Sequence, residues 1–194
     1  NLNIEATYAA ITGEYAEFRN LCFVDTLDNI GALKMSSGVT GDLFGAVSQE
    51  NIERIKRQNS RKISVIIGNP PNNSNQANEN DNNKNRKYPE IDKRNKATYV
   101  RESTAQKTKN YDMFTRFFRW ASDRIEEDGV VAFITNRAFL DKRNYDGFRK
   151  LAAQDFSEIY VVELGGGVVD NHKLYGTTHN VFGIATGVAI SFLV

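Results

Sequence analysis

The sequence predicts an alternating α/β domain whose sheet is mostly parallel. Amphipathic helices alternate with short apolar runs rich in β-branched residues, which is the pattern of βα units. The run at residues 63–67 contains one polar residue and stops at Gly68, Pro70 and Pro71, as expected of a strand buried on both faces. The last two runs follow each other without a helix between them, so the final strand is expected to be antiparallel.

The elements are predicted in chain order from hydrophobic periodicity and from helix stop signals. A helix at 3–19 is expected to pack on a sheet, and a short strand at 21–24 and a helix near 48–57 follow it. After the central strand, a helix at 110–127 ends at Asp128 and Gly129. The remaining elements are a strand at 130–135, a helix near 144–154, and strands at 159–164 and 184–194.

A basic, Asn-rich insertion is expected at about 72–109, because this stretch has little periodicity and is longer than ordinary connections. Between positions 84 and 109 nine Lys or Arg residues face three acidic ones, with Tyr88 and Tyr99 among them. Basic side chains interleaved with aromatic ones fit a segment lying along nucleic-acid phosphates. A solvated, flexible insertion explains the composition equally well. The candidate phosphate contacts are Arg86, Lys87, Lys93 and Arg94.

Composition bounds the class of protein. The 194 residues are 40% hydrophobic and 25% charged, which suits one globular domain at 1–194, and a net charge of +1 excludes a uniformly basic protein. No apolar stretch is long enough to span a membrane, so a cytoplasmic protein without a membrane partner is expected. The single Cys22 and the two histidines, His172 and His179, predict no metal site. The terminal residues suggest an excised piece of a longer polypeptide.

The central strand delivers a loop with unusual hydrogen-bonding capacity. Ligand sites in parallel sheets lie at the carboxyl ends of strands, which is where Asn69 falls. Pro70 and Pro71 have no backbone N–H, so the loop presents carbonyl oxygens and the Asn69 amide. Such acceptors suit a planar amino group like that of adenine, whose methylation they would favour. The alternative is an ordinary turn, since Asn-Pro commonly starts turns.

Several segments together carry a resemblance to a known family. VIIGNPPN at 65–72 looks like motif IV, Asn-Pro-Pro-Tyr or Phe, of amino-group methyltransferases that use S-adenosyl-L-methionine. The other matching segments are CFVDTLDN at 22–29, KNYDMFTRFFRWASDRI at 109–125, GVVAFITNRAFLD at 129–141 and NVFGIATGVAISFLV at 180–194. In order and spacing they most resemble the adenine-specific DNA methyltransferase domain of large restriction-modification polypeptides with a fused helicase-like motor.

The resemblance implies a partial Rossmann-like methyltransferase fold that lacks the first cofactor-binding βα unit. It implies S-adenosyl-L-methionine as cofactor, double-stranded DNA as substrate, and further motor, nuclease and target-recognition domains as partners. The resemblance assigns roles to three groups of residues. They are Asn69, Pro70, Pro71 and Asn72 in catalysis; Asp25, Thr26, Tyr111 and Phe114 at the adenine of the cofactor; and Phe182 stacking on the flipped target base.

Asn72 departs from the family pattern, which has Tyr or Phe at this position. An amide cannot stack on a base as an aromatic ring does, so a non-catalytic DNA-binding domain is an alternative to a live enzyme. Methylation of guanine in RNA or of protein glutamine is another, since similar loops serve those reactions. Asp25 could equally cap the next element, and Phe182 could equally be a core residue.

Overall fold

The computed structural model describes residues 2–18, 20–22, 24–28, 49–71, 88–105, 112–164 and 187–194. The chain divides into two compact units, Asn1–Arg61 and Lys62–Val194. The first contains helix α1, Leu2–Thr12, and helix α2, Gln49–Asn59. The second contains the sheet.

Helix α1 is shorter than predicted. It stops before Gly13, whose φ of 77° is left-handed and suits a helix terminus. Its apolar stripe, which includes Ile4 and Ile11, is exposed rather than buried as predicted. The predicted strand at 21–24 is not found either, because the described residues 20–22 and 24–28 contain turns and a bend but no strand. A strand requires a hydrogen-bonded neighbour, and none pairs with these described residues.

The second unit is built on a four-stranded mixed sheet. Its strands are β1 (Ile63–Gly68), β2 (Ile125–Asn136), β3 (Ile159–Glu163) and β4 (Val188–Leu193). They lie in the order β1-β2-β4-β3, with β1 parallel to β2, and β4 antiparallel to both β2 and β3. The mixed α/β class and the antiparallel final strand are therefore confirmed.

The helices of this unit are α3 (Pro89–Asn95), which continues as a π-helical turn (Lys96–Val100), then α4 (Met113–Arg124), α5 (Ala138–Asp141) and α6 (Asp146–Asp155). A 3₁₀ turn, Arg143–Tyr145, joins α5 to α6. Two predictions are corrected here. The stretch at 72–109 contains a helix with buried residues. Helix α4 ends three residues before the predicted end at 127, and the Asp128 stop signal lies inside β2.

Gly129 explains the early start of β2. The register between β1 and β2 shifts between Ile63 and Val65, which face Ile125 and Val130. A Cβ at Gly129 would lie 2.5 Å from Ile125 Cγ1, so only glycine fits this close approach. The Asp-Gly pair therefore marks an irregularity between paired strands, and not a helix end.

The core lies on one face of the sheet, between the strands and helices α4 to α6. Phe118 packs 5.1 Å from Phe133 of β2 and 5.0 Å from Phe148 of α6, measured between ring centroids. Phe117 and Trp120 are half-buried against the same cluster. The aromatic residues of α4 therefore mainly pack in the core.

The opposite face of the sheet is apolar and largely exposed. Val65 is 57% exposed and Ile67 80%, and Phe192 and Tyr160 on β4 and β3 are also exposed. The prediction that β1 is buried on both faces is therefore wrong, because only the Ile66 side is covered. The apolar run in the sequence predicts a strand, but it does not predict whether other elements cover both faces of that strand.

Among the described residues, no helix is long and apolar enough to cross a membrane. Cys22 is half-buried, and no group of three or more potential metal ligands is found in the same residues.

Candidate active site at the carboxyl edge of the sheet

The Asn-Pro-Pro loop begins where β1 ends, at the carboxyl edge of the sheet. Gly68 pairs with Phe133 of β2, and a Cβ at Gly68 would lie 3.1 Å from Phe133 Cε1. The backbone thus rests on a buried ring of the core, which gives the loop a rigid base. Asn69 follows with an exposed side chain, Pro70 is buried and Pro71 is exposed.

The Asn69 amide is available to a ligand. It makes no hydrogen bond with any described residue, whereas most polar side chains around the sheet are engaged. Since Pro70 and Pro71 contribute no N–H, the groups presented by residues 69–71 are mainly acceptors. Residues 69–71 can therefore accept hydrogen bonds from a donor group of a ligand.

A second polar group, missed from the sequence, lies at the end of β2. Arg137 donates its backbone N–H to Gly187 O at 2.8 Å, and its Nη1 lies 2.8 Å from Glu163 Oε1. It thereby connects the ends of β2 and β3 with the start of β4. Asn136 Oδ1 accepts the N–H of Ala138, the first residue of α5, at 3.0 Å, which is a local turn just before the helix. The strand-end rule that selected Asn69 would also have selected these residues.

The candidate cofactor residues of the first unit lie in a turn. Asp25 Oδ1 accepts the N–H of Leu27 at 3.0 Å, and Asp25 O accepts that of Asp28 at 3.1 Å. This is the local capping role that the sequence left open for Asp25. Thr26 is half-buried in the same turn. The assignment of both residues to the cofactor stays a prediction.

Phe114 lies in the aromatic core and is only 1% exposed. Its ring centroid is 5.3 Å from that of Tyr145 and 6.3 Å from that of Phe139. Next to it, the buried Asp112 at the start of α4 accepts a hydrogen bond from the Tyr145 hydroxyl. Burial and this bond raise the pKa of Tyr145 above its ordinary value. Phe114 therefore acts as a packing residue here, and its contact with a cofactor is untested.

Of the four candidate phosphate contacts, Lys93 and Arg94 fall within the described residues. Lys93 and the neighbouring Lys96 are exposed, and neither has an ion pair there. Arg94, in contrast, donates from Nε and Nη2 to Asp123 at 2.8 and 2.6 Å. Its hydrogen bonds to Asp123 raise the pKa of Arg94. Arg94 is thus held by α4, whereas Lys93 is available to a polyanion.

The two tyrosines of this stretch are structural. Tyr88 is 8% exposed with the Arg116 guanidinium 5.5 Å above its ring, and Tyr99 is 1% exposed beneath Arg119. Burial raises the pKa of Tyr99 to about 12. The interpretation of these rings as nucleic-acid contacts is therefore wrong, because neither presents a face to a ligand.

Several sequence candidates lie outside the described residues. They are Asn72, Arg86, Lys87, Tyr111, His172, His179 and Phe182.

Comparisons with known proteins agree with the fold. A family model described as Eco57I restriction-modification methylase matches residues 22–167. Among solved structures, DrdV in complex with DNA is 56% identical over all of this chain, with a TM-score of 0.82. A nuclease-deletion mutant of the Type ISP restriction-modification enzyme LlaGI, with a DNA substrate mimic, is 34% identical over all of it, with a TM-score of 0.80. The ATP-dependent Type ISP enzyme LlaBIII, bound to DNA, is 36% identical over 99%, with a TM-score of 0.81.

This chain spans 18%, 16% and 13% of the lengths of those three proteins, respectively. No curated protein matches it. The family model covers well over half of the chain, and the motifs that it covers include the Asn-Pro-Pro loop at the end of β1. The chain therefore belongs to the Eco57I restriction-modification methylase family.

Proposed function

We propose that this chain is the catalytic part of a site-specific DNA methyltransferase that transfers a methyl group from S-adenosyl-L-methionine to the exocyclic amino group of adenine. The observation that carries this proposal is the exposed, unengaged Asn69 amide on a loop seated on the core. Membership of a restriction-modification methylase family supports it.

In the proposed reaction, the target adenine leaves the duplex and its amino group enters the loop. Asn69 Oδ1 and the carbonyl oxygen of Pro70 accept its two N–H bonds. Both acceptors favour localisation of the nitrogen lone pair, which is otherwise delocalised into the ring. Because Pro70 and Pro71 restrict the backbone at these acceptors, the stabilisation would require little reorganisation. The nitrogen would gain the methyl group as the methyl–sulfur bond of the donor breaks, which leaves S-adenosyl-L-homocysteine, and one proton would be released to solvent.

S-adenosyl-L-methionine supplies an electrophilic methyl group when it is bound. We assign its adenine to Asp25 and Thr26, which carry polar groups on a half-buried turn. On this view the chain provides the later βα units of a Rossmann-like fold. A Gly-rich unit elsewhere in a longer polypeptide would hold the methionine and ribose.

We assign sequence-independent DNA affinity to exposed lysines of α3 and its π-helical continuation. Lys93 and Lys96 are three positions apart, so they lie on neighbouring parts of one helical surface. Arg86 and Lys87 precede this helix in sequence. Binding to double-stranded DNA, and cooperation with motor, nuclease and target-recognition domains, are supported by the solved relatives, which are DNA complexes of much longer chains.

The test replaces Asn69 in the full-length protein and measures transfer of labelled methyl groups to DNA. Asn69→Ala removes one acceptor and is expected to lower turnover by about 100-fold or more, the size of effect found for a lost oxyanion-hole donor. Asn69→Asp retains acceptor oxygens at the same distance from the backbone, so its loss should be smaller. Asn3→Ala, which changes an exposed asparagine of α1, serves as the control.

Thermal stability should stay within about 1 kcal/mol in all three variants, since Asn69 is exposed. Full turnover by Asn69→Ala would refute the role of its amide. Absence of methyl transfer by the unmodified full-length protein, with DNA binding intact, would favour the non-catalytic alternative raised by Asn72.

A further inference from the structure

A cavity of about 230 Å³ lies on the helical side of the sheet, away from the Asn-Pro-Pro loop. Three aromatic rings from α4, α5 and α6 form one wall, and side chains of β3 and β4 form the other. The residues that define it are Phe118, Phe139, Phe148, Ile159, Val161 and Ser191.

Ser191 is a buried polar residue in the wall of this mainly apolar cavity. It is 1% exposed, and its hydroxyl has no hydrogen-bond partner among the described residues. On β4 it lies between Phe133 and Val161 of the flanking strands, where an apolar residue would pack without penalty. A buried polar group without a partner is destabilising, and such groups are rare in native proteins. The hydroxyl is therefore explained if a ligand completes its hydrogen bonding.

Arg149 also lines the cavity and ties two of its helices together. Arg149 of α6 donates from Nη1 to Phe139 O at 2.8 Å and to Lys142 O at 2.9 Å. These bonds fix α5 and the turn that follows it against α6. Arg149 Nη1 is thus engaged by two backbone carbonyls, whereas the Ser191 hydroxyl has no partner among the described residues.

The volume and chemistry define the ligand class. An engineered apolar cavity of about 150 Å³ is known to bind benzene, so 230 Å³ accommodates a substituted single ring. Aromatic walls favour an aromatic ring through edge and offset contacts. The Ser191 hydroxyl can form a hydrogen bond with one polar group on the aromatic ring of the ligand.

We propose that this cavity is a binding site for a small aromatic molecule that carries a single hydroxyl group. The ring contacts Phe118, Phe139 and Phe148, and the hydroxyl exchanges a hydrogen bond with Ser191. The site is distinct from the Asn-Pro-Pro loop and does not depend on the methyltransferase proposal.

The test titrates p-cresol and toluene against the full-length protein by ligand-observed saturation-transfer NMR. The two probes differ only in the hydroxyl. We expect p-cresol to bind about three- to tenfold more tightly, which corresponds to one net hydrogen bond. Ser191→Ala should reduce this ratio to about one and leave toluene binding unchanged. Removing an unsatisfied hydroxyl does not threaten folding.

Two further variants test whether binding depends on this cavity. Ala152→Leu adds bulk to a residue that lines the cavity and should weaken both probes. Ser60→Ala changes an exposed serine of the first unit and should weaken neither. Failure of p-cresol to bind the unmodified protein would overturn the proposal. An unchanged preference for p-cresol in Ser191→Ala would overturn it as well.

Discussion

Asp123→Ala tests whether this carboxylate fixes the arginines around it and so stabilises the fold. Asp123 accepts hydrogen bonds from Arg94 of α3 and from Arg119, its neighbour on α4. Arg119 also reaches Asp155 at 2.9 Å and lies over the ring of Tyr99. One carboxylate therefore holds two guanidiniums and joins α3 to α4.

The expected loss follows from the burial of the two partners. The Arg119 side chain is 5% exposed and that of Arg94 is 51% exposed. Removing one partner of a buried ion pair costs about 3 to 5 kcal/mol, but Asp155 remains beside Arg119, so we expect about 2 to 3 kcal/mol for Asp123→Ala. Arg94→Ala removes an exposed partner and should cost about 1 kcal/mol or less.

Hydrogen exchange measured by mass spectrometry resolves this effect in the full-length protein. Amides of α3 and α4 should exchange about 30- to 150-fold faster in Asp123→Ala, since about 1.4 kcal/mol corresponds to tenfold. The same amides should change less than tenfold in Arg94→Ala. Equal effects of the two substitutions would refute the central role of Asp123, as would an unchanged exchange rate in Asp123→Ala.

The same carboxylate predicts a pH dependence. Burial alone would raise the pKa of Asp123, but the bonds from Arg94 and Arg119 outweigh it and hold the pKa below its ordinary value. A carboxyl with a lowered folded pKa stabilises the fold fully above its unfolded value, about 4. The protection of α3 and α4 should therefore fall as the pH drops below about 4, and Asp123→Ala should lose this component.

Two further predictions concern DNA. Lys93→Ala combined with Lys96→Ala should weaken binding to unrelated duplexes alike and flatten the salt dependence by about 0.9 per lost phosphate contact, while Lys56→Ala should not; an unchanged slope would exclude phosphate contacts by these lysines. Phe182→Ala should weaken methylation about five- to a hundredfold if the ring stacks on the flipped base, and Asn72→Tyr should strengthen binding to mismatched adenine more than to paired adenine. If Phe182→Ala merely unfolds the protein and Asn72→Tyr is neutral on both targets, the stacking assignment is wrong.

The position of the Asn-Pro-Pro loop was predictable because its signals are local. The apolar run of β1 and the helix breakers after it identify a strand end at Asn69 without any knowledge of the neighbours. The family resemblance extended this to a restriction-modification methylase, because it rests on the order and spacing of several motifs. The family and the mixed α/β class were correct for the same reason.

By itself, then, the sequence determined the periodic elements of the second unit, the loop at the end of β1 and the family. Tertiary structure decided which side chains that unit leaves available, because burial and ion pairing depend on residues far apart in sequence. Arg94 is held by Asp123 from another helix, and Tyr99 is buried beneath Arg119, whereas Lys93 is exposed. Asp128 and Gly129 read locally as a helix stop, but pairing with β1 placed them in a strand.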